Sequence, residues 1–186
     1  MRRFSKEDFP VANVRRFLEP GPIVLVSSAH RRRRNIMTLG WHMILEMEPS
    51  LVGCYIWDRN DSHAMIRASR ECVINVPTAD LIHAVIDIGN THGRDGDKFD
   101  ACGLTAATAT KVRAPLIAEC HACFECRLVD ASLIPRYSLF VLEVVKAHVA
   151  RSPRHPVTVH YRGEGVFMIS GRNVSYRKRF KPENLV

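Results

Sequence analysis

The sequence predicts a mainly β domain in which short helices are inserted between the strands of an antiparallel barrel. Three long runs rich in strand-forming residues close the chain, at residues 116–129, 137–150 and 157–170. Shorter apolar runs precede them, and helical spacing is confined to short stretches. Long strands at this spacing favour an antiparallel barrel of Greek-key type over a doubly wound parallel sheet.

The first part of the chain predicts one helix followed by four strands. Residues 5–18 have amphipathic spacing that places Val11, Val14 and Phe17 on one helical face. The Glu-Pro-Gly-Pro sequence that follows ends this helix. The four predicted strands span residues 23–28, 35–41, 44–48 and 51–57.

Helices and strands alternate in the next part of the chain. Residues 61–70 have helical spacing, with Asp61 or Ser62 as the N-cap. Residues 72–76 predict a strand, and residues 80–88 predict a second helix. A polar loop at residues 92–97 then leads into Lys98 and Phe99.

Length and composition predict one soluble, cytoplasmic domain spanning residues 1–186, with its core at about residues 21–171. The apolar fraction of 46% is sufficient for a hydrophobic core. No apolar run approaches the ~20 residues that span a bilayer, and the start of the chain, MRRFSKEDFP, lacks the apolar region of a secretory signal. The net charge of +8 is concentrated at residues 31–34 and 172–181, two short clusters that we interpret as solvated turns. We therefore expect neither a nucleic-acid nor a membrane partner.

Six cysteines, at positions 54, 72, 102, 120, 123 and 126, are expected to be reduced thiols. The group Cys120, Cys123 and Cys126 has the close spacing of a metal site. However, residues 118–130 read as a strand, which places Cys120 and Cys126 on one face and Cys123 on the other. The sequence therefore predicts buried, inert thiols and no metal site.

Common catalytic motifs are absent from the sequence. It contains no G-x-G-x-x-G after the first strand, no G-x-x-x-x-G-K-[ST], no H-E-x-x-H and no G-x-S-x-G. A dinucleotide fold with a glycine fingerprint, a P-loop, a zinc protease and a serine hydrolase are therefore poorly supported.

A succession of short patterns remains, and their order is informative. They are PIVLVSS at 22–28 with NIMTLGW at 35–41; Glu48-Pro49-Ser50 before the strand 51–57; SHAMIRASRECVINVP at 62–77; DKFDACGLT at 97–105 with APLIAECHACFECRL at 114–128; YSLFVLEVVKAHV at 137–149; and YRGEGVFMISG at 161–171. In this order the sequence resembles the flavin reductase-like (flavoredoxin-type) family, over roughly residues 21–171. The resemblance implies an FMN-binding split β-barrel.

The resemblance also implies a homodimer that holds FMN near the subunit interface, and it implies positions for the flavin contacts. It places Asn35, Met37, Thr38 and Trp41 along the isoalloxazine ring and the ribityl chain, and Ser62 and Lys98 at the phosphate. Further cofactor contacts are implied at Phe99, Tyr137 and Phe167.

The residue types agree with these roles. Ser62, at the start of a helix, offers a hydroxyl together with backbone N–H groups for a phosphate, and Lys98 offers a cation. Trp41 offers a flat face for an aromatic ring. Each residue also has an ordinary structural interpretation: Ser62 as a helix cap, Lys98 as a solvated cation and Trp41 as part of the core.

The function that follows from the resemblance is an FMN-dependent NAD(P)H:flavin oxidoreductase. A hydride passes from NADH or NADPH to flavin N5, and the protein supplies orientation and electrostatics, so no catalytic side chain is expected. The reduced flavin either goes to a partner oxygenase or stays bound and passes electrons to an acceptor. The alternative is a non-catalytic FMN-binding electron carrier or flavin store.

Other polar residues carry separate expectations. Residues 31–34 are four adjacent arginines, so we expect an extended, solvated loop because the guanidinium groups repel one another. A second hypothesis is that one or two of them bind the 2′-phosphate of NADPH. Asn75 needs a partner if it is buried, and the loop that carries Asn35 is the expected one. His63 is expected on a helix surface, and Glu119 and Glu125 in solvent or at an interface.

Overall fold

A computed structural model describes residues 21–184. The predicted helix at 5–18 lies outside this range. The described chain contains eleven strands and four α-helices. The strands are β1 Val24–His30, β2 Arg33–Leu39, β3 His42–Glu46, β4 Leu51–Tyr55, β5 Glu71–Val76, β6 Ala106–Ala107, β7 Leu116–Ile117, β8 Ala122–Asp130, β9 Leu139–Val149, β10 Val159–Gly163 and β11 Val166–Ile169. The helices are α1 Asp61–Ser69, α2 Ile82–Asn90, α3 Lys98–Ala101 and α4 Ile134–Tyr137, with 3-10 turns at Ala79–Leu81, Arg177–Arg179 and Pro182–Asn184.

Seven of the strands form one antiparallel sheet in the order β2-β1-β5-β8-β9-β4-β3. The remaining strands form two separate pairs, β10 with β11 and β6 with β7. Helices occupy the connections between strands, as the sequence predicts. The mainly β, antiparallel class with short inserted helices is therefore confirmed.

Both faces of the large sheet are covered, which explains why β1 and β5 are buried over most of their length. Side chains of β1 alternate between two cores: Val24 and Val26 belong to one hydrophobic cluster and Leu25 to the other. In β5, Ile74 belongs to the first cluster and Val73 to the second. The helix α1 contributes Ile66 to the first cluster, whereas α2 and α3 pack into the second.

The N-cap of α1 differs from the prediction. Asn60 is the cap, because its Oδ1 accepts a hydrogen bond from the backbone N–H of Ser62 at 3.0 Å. Asp61 and Ser62 therefore lie inside the first turn. This frees the Ser62 hydroxyl for contacts outside its own helix.

Two of the three long predicted strands are interrupted. The run 116–129 is divided into β7 and β8 by a turn at residues 118–121. The run 157–170 is a hairpin, in which Gly163, Glu164 and Gly165 turn the chain at φ angles of 93°, 55° and 75°. Two glycines supply this left-handed backbone at little cost.

The first of these interruptions also corrects the prediction for the cysteines. Cys120 lies in the turn before β8, and it packs into the second cluster together with Cys123, whereas Cys126 packs into the first cluster. All six thiols are free, and burial raises the pKa of Cys54 to about 12. Within residues 21–184, no group of three or more His, Cys, Asp or Glu side chains is arranged to hold a metal ion.

Asn75 and Glu125 are interior polar residues that fasten loops to the sheet. Asn75 Nδ2 donates to the carbonyl of Leu25 at 3.0 Å, and its Oδ1 accepts from the N–H of Ile117 at 3.1 Å. Its partners therefore lie in β1 and β7, and the prediction that Asn75 holds the loop carrying Asn35 is wrong.

Glu125 is fully buried, so its predicted place in solvent or at an interface is wrong. Its carboxylate accepts hydrogen bonds from the N–H groups of Thr110, Lys111 and Val112 at 2.5–3.1 Å, and from His148 Nε2 at 2.7 Å. Burial raises the pKa of this carboxyl, but the bonds from His148 and from the loop outweigh it and lower the pKa to about 2.

Candidate functional site

The main cleft of the described chain lies between the end of β2, helix α2 and the hairpin β10–β11. Its volume is about 510 Å³, within the usual range for a small-ligand site. None of its lining residues carries a charge. They are Ile23, Thr38, Gly40, Trp41, Val85, Ile86, Gly89, Asn90, Tyr161, Gly165 and Phe167.

Aromatic side chains form two sides of this cleft. Trp41 is 47% exposed and packs on Tyr55, with the ring centroids 5.0 Å apart. On the hairpin, Tyr161 and Phe167 are directly paired across the strands, and their ring centroids lie 5.2 Å apart. Flat apolar faces around a cleft of this size suit a planar aromatic ligand.

Thr38 joins the two remaining walls. Its Oγ1 donates to the carbonyl of Val85 at 2.7 Å, which fixes α2 against β2. A Cβ at Gly89 would lie 3.7 Å from the side chain of the same threonine, an ordinary contact distance. The Thr38 oxygen keeps its lone pairs, so it can accept a hydrogen bond from a ligand in the cleft.

A buried polar cluster lies on the other face of β2. Asn35 Nδ2 donates to Ser62 Oγ at 2.9 Å, and Ser28 Oγ is 3.2 Å from the same oxygen. Asn35 Oδ1 is buried and has no partner. The loop after α2 passes so close to Asn35 that a Cβ at Gly93 would lie 2.6 Å from this oxygen.

Lys98 is almost completely buried. Its Nζ donates to the carbonyl of Ile88, in the last turn of α2, at 2.9 Å. Burial lowers the pKa of this ammonium group, an effect that the nearby carboxylate of Asp61 opposes. Phe99, its neighbour on α3, is part of the second core.

Met37 and Tyr137 lie away from the cleft. Met37 is buried in the first hydrophobic cluster. Tyr137 is half exposed at the end of α4, where the Arg136 guanidinium lies 5.0 Å from its ring centroid. The structure thus brings together Thr38, Trp41 and Phe167 at the cleft, and Asn35 and Ser62 in the polar cluster.

Sequence reasoning missed Tyr161 and Asn90 as lining residues. Tyr161 stands in the pattern YRGEG, where the two glycines signal a turn. Reading this pattern as a hairpin would have placed Tyr161 opposite Phe167. Asn90 follows the predicted helix at 80–88, where the local pattern does not indicate a lining residue.

The arginines at 31–34 do not form an extended loop. Arg31 and Arg32 make a tight turn, and Arg33 and Arg34 belong to β2. Arg34 pairs with Asp97 at 2.7 Å and with Asp100 at 3.2 Å, and its guanidinium lies 4.7 Å from the ring centroid of Phe99. Arg34 therefore holds α3 against β2.

His63 is buried and not on the helix surface as expected. Its ring meets Phe140 edge-on, with the centroids 5.1 Å apart. Burial, and then the charge of Arg67, lower the pKa of this imidazole. His63 is therefore a neutral residue beside the first core.

The sequence matches the family described as the flavin reductase like domain over residues 15–166. The chain belongs to the flavin reductase-like family. Among its relatives, the Escherichia coli protein YddH is 32% identical over 176 residues, covering 86% of this chain and 92% of that protein.

Solved structures agree with this assignment. The FMN-binding domain of a flavin reductases-like enzyme from Shewanella baltica is 25% identical to this chain, with a TM-score of 0.76. The alignment covers 90% of this chain and 95% of the Shewanella chain. Flavoredoxin from Methanosarcina acetivorans is 18% identical, covers 95% and 97% of the two chains, and has a TM-score of 0.82. The predicted split-barrel fold is confirmed.

Within residues 21–184, none of the helices has the length and hydropathy needed to cross a membrane.

The residues of this flavin reductase-like protein fit a flavin. The uncharged cleft with Trp41, Tyr161 and Phe167 suits the ring system. The buried, unpartnered Asn35 Oδ1 is an acceptor that matches the hydroxyl groups of a ribityl chain, which would reach it around β2, the edge strand of the sheet.

Proposed function

We propose that this protein is an FMN-dependent NAD(P)H:flavin oxidoreductase. The observation that carries the proposal is the cleft of about 510 Å³, bounded by aromatic rings, in a chain of the flavin reductase-like family. The chemistry that FMN supplies when bound is acceptance of a hydride at flavin N5 from NADH or NADPH. No side-chain acid or base is needed for that step.

The role of the chain's own residues is to bind and orient the flavin. Trp41 and the Tyr161–Phe167 pair bound the space for the ring system, and they exclude water from it. The hydrogen bond from Thr38 to Val85 keeps the opposite walls at a constant distance. Asn35 and Ser62 are proposed at the ribityl and phosphate end of the flavin, with Lys98 as the phosphate cation.

A homodimer is part of this proposal. The edge strand β3 presents a row of exposed apolar side chains that a second copy would cover. Within β3, Met43 is 59% exposed and Ile44 is 71% exposed. Met47, directly after the strand, is 69% exposed. Trp41, at the mouth of the cleft, comes directly before β3, so the same contact would complete the flavin site.

The second candidate is a non-catalytic electron carrier or flavin store. For the reductase and for the carrier alike, the proposed partner is an oxygenase or another electron acceptor. It is favoured by the likeness of the fold to flavoredoxin. A reductase oxidises NADH or NADPH when free FMN is added, whereas a carrier is bleached only by a separate reducing protein.

The test begins with the visible spectrum of the purified protein and the mass of the extracted cofactor. We expect FMN, because the proposed site has one phosphate position; FAD as the sole occupant contradicts the proposal. Anaerobic titration with NADH and NADPH follows. Bleaching by either nucleotide supports the reductase, and a flavin that neither nucleotide reduces favours the carrier.

A further inference from the structure

The net charge of the protein is unevenly distributed along the chain. Residues 146–181 contain nine lysines and arginines and one acid, Glu164, so this segment alone has a net charge of +8. The whole chain has the same net charge of +8, so the other residues sum to zero. Such asymmetry indicates an anionic ligand or partner at this segment.

The end of this segment, residues 172–181, is here called the basic arm. It contains five cations and no acid, and each of its residues is exposed. None of the ion pairs within residues 21–184 involves these five cations. They are Arg172, Arg177, Lys178, Arg179 and Lys181.

Part of the arm has a defined backbone. Arg177–Arg179 form a 3-10 turn, closed by hydrogen bonds from Arg179 N to the carbonyl of Tyr176 at 2.8 Å and from Phe180 N to the carbonyl of Arg177 at 3.1 Å. Three consecutive cations are therefore grouped on one short turn.

The root of the arm is fixed beside the cleft. Ser170 N donates to the carbonyl of Thr158 at 2.9 Å, and Ile23 N donates to the carbonyl of Val159 at 2.8 Å. Ile23 and Phe167 both line the cleft. The arm therefore begins near the end of β2 that leads into Trp41, and the seven peptide steps from Ser170 to Arg177 span at most about 25 Å.

The cleft itself has no cation to meet a phosphate, because its lining is uncharged. Two cations lie beyond the lining: Lys98, which donates to the carbonyl of Ile88 and is proposed for the flavin phosphate, and Arg34, which pairs with Asp97 and Asp100. Arg31 and Arg32 are exposed, but they lie at the far end of β2, roughly 20 Å from Thr38 at about 3.3 Å per residue.

We infer that the turn Arg177–Arg179 of the basic arm binds the 2′-phosphate of the nicotinamide nucleotide, and that it thereby selects the 2′-phosphorylated form. This inference rests on the proposed function and adds the substrate preference to it. A 2′-phosphate adds nearly two negative charges near neutral pH. Guanidinium groups bind phosphate oxygens in pairs, so a cluster of them distinguishes the two nucleotides.

The experiment compares two charge-matched variants by calorimetry and by steady-state kinetics. The first carries Arg177→Gln, Lys178→Gln and Arg179→Gln, and the second carries Arg31→Gln, Arg32→Gln and Arg94→Gln. Each variant and the wild type are titrated with 2′,5′-ADP and with 5′-AMP, which need no flavin turnover. The KM values for NADPH and NADH are then measured at one fixed ionic strength.

We expect the arm variant to bind 2′,5′-ADP about tenfold more weakly, with 5′-AMP binding unchanged. Its KM should rise for NADPH and stay constant for NADH, and the control variant should match the wild type. Equal losses for both probes, or a loss in the control variant alone, would overturn the inference, as would a wild type that binds 2′,5′-ADP no better than 5′-AMP. If the wild type oxidises neither NADPH nor NADH, the proposed function fails, and the titrations still decide the role of the arm.

Discussion

The side chain of Asn35 on β2 donates from Nδ2 to Ser62 Oγ in the first turn of α1, at 2.9 Å. This bond joins two segments 27 residues apart, and both residues are buried. The Ser62 hydroxyl also lies 3.2 Å from Ser28 Oγ. One oxygen therefore connects β1, β2 and α1 at the position proposed for the flavin chain.

Replacing Ser62 with Ala is expected to destabilise the protein by about 1–3 kcal/mol, because the buried Asn35 amide loses its partner. Urea unfolding monitored by circular dichroism measures this change. Ser175→Ala, at an exposed position, is the control and should leave the midpoint unchanged. An unchanged midpoint for Ser62→Ala would contradict the stabilising role of the bond.

Gly93→Ala is expected to lower flavin occupancy and stability together. The new Cβ would lie 2.6 Å from Asn35 Oδ1, closer than such contacts occur, so the loop or Asn35 must move. Flavin absorbance per protein and the melting temperature are the measurements. Gly21→Ala, where a Cβ meets nothing within 4 Å, is the matched control. If the two variants behave alike, the close approach at Asn35 has no consequence.

Lys98→Met is expected to weaken FMN binding by roughly tenfold or more, because a charge-assisted contact to phosphate is lost. Methionine retains much of the volume of the buried side chain. Riboflavin, which has no phosphate, should be affected less, and this difference is measured by fluorescence titration. Lys111→Met at an exposed position is the control. Equal losses for FMN and riboflavin would count against the phosphate role of Lys98.

The Glu125 carboxylate is expected to contribute to the free energy of unfolding, and this contribution should be lost in acid. Its carboxyl has a pKa lowered from 4.5 to about 2 in the folded protein, so it stabilises the fold fully above pH 4.5. This stabilisation, on the order of 2–3 kcal/mol, is lost as the pH falls from 4.5 through 2. Unfolding free energies at pH 7 and pH 3 measure it in the wild type and in Glu125→Gln.

The glutamine variant should be less stable at pH 7 and should lose less of its stability on acidification. Glu183→Gln, at an exposed position, is the control and should keep the pH dependence of the wild type. A wild type and a Glu125→Gln variant with the same pH dependence would refute the role of Glu125.

The wild type is expected to be a dimer by light scattering, since β3 leaves a row of apolar side chains exposed. Ile44→Asp places a charge in this row and should shift the protein towards the monomer and reduce flavin content. Val174→Asp, at another exposed apolar position, in the basic arm, should leave the mass unchanged. A wild-type monomer with full flavin occupancy would rule out the dimer.

Most of the secondary structure could be predicted from the sequence, because local patterns decide it. The β-branched run at residues 23–28 becomes β1, and the helical spacing at 61–70 becomes α1. The errors lie where a short turn interrupts a long apolar run. At 157–170 the two glycines of YRGEG mark a hairpin, and at 118–121 a turn removes Cys120 from the strand.

The sequence by itself determined the family and the fold class, because these depend on the order of motifs along the chain. It also singled out Thr38, Trp41 and Phe167, which line the cleft. Only the tertiary structure decided which polar side chains are buried and which cations remain free. Glu125 is interior because a loop fourteen residues away in sequence folds over it, and Arg34 is engaged because α3 returns to β2. Such contacts join residues distant in the chain, and no local pattern records them.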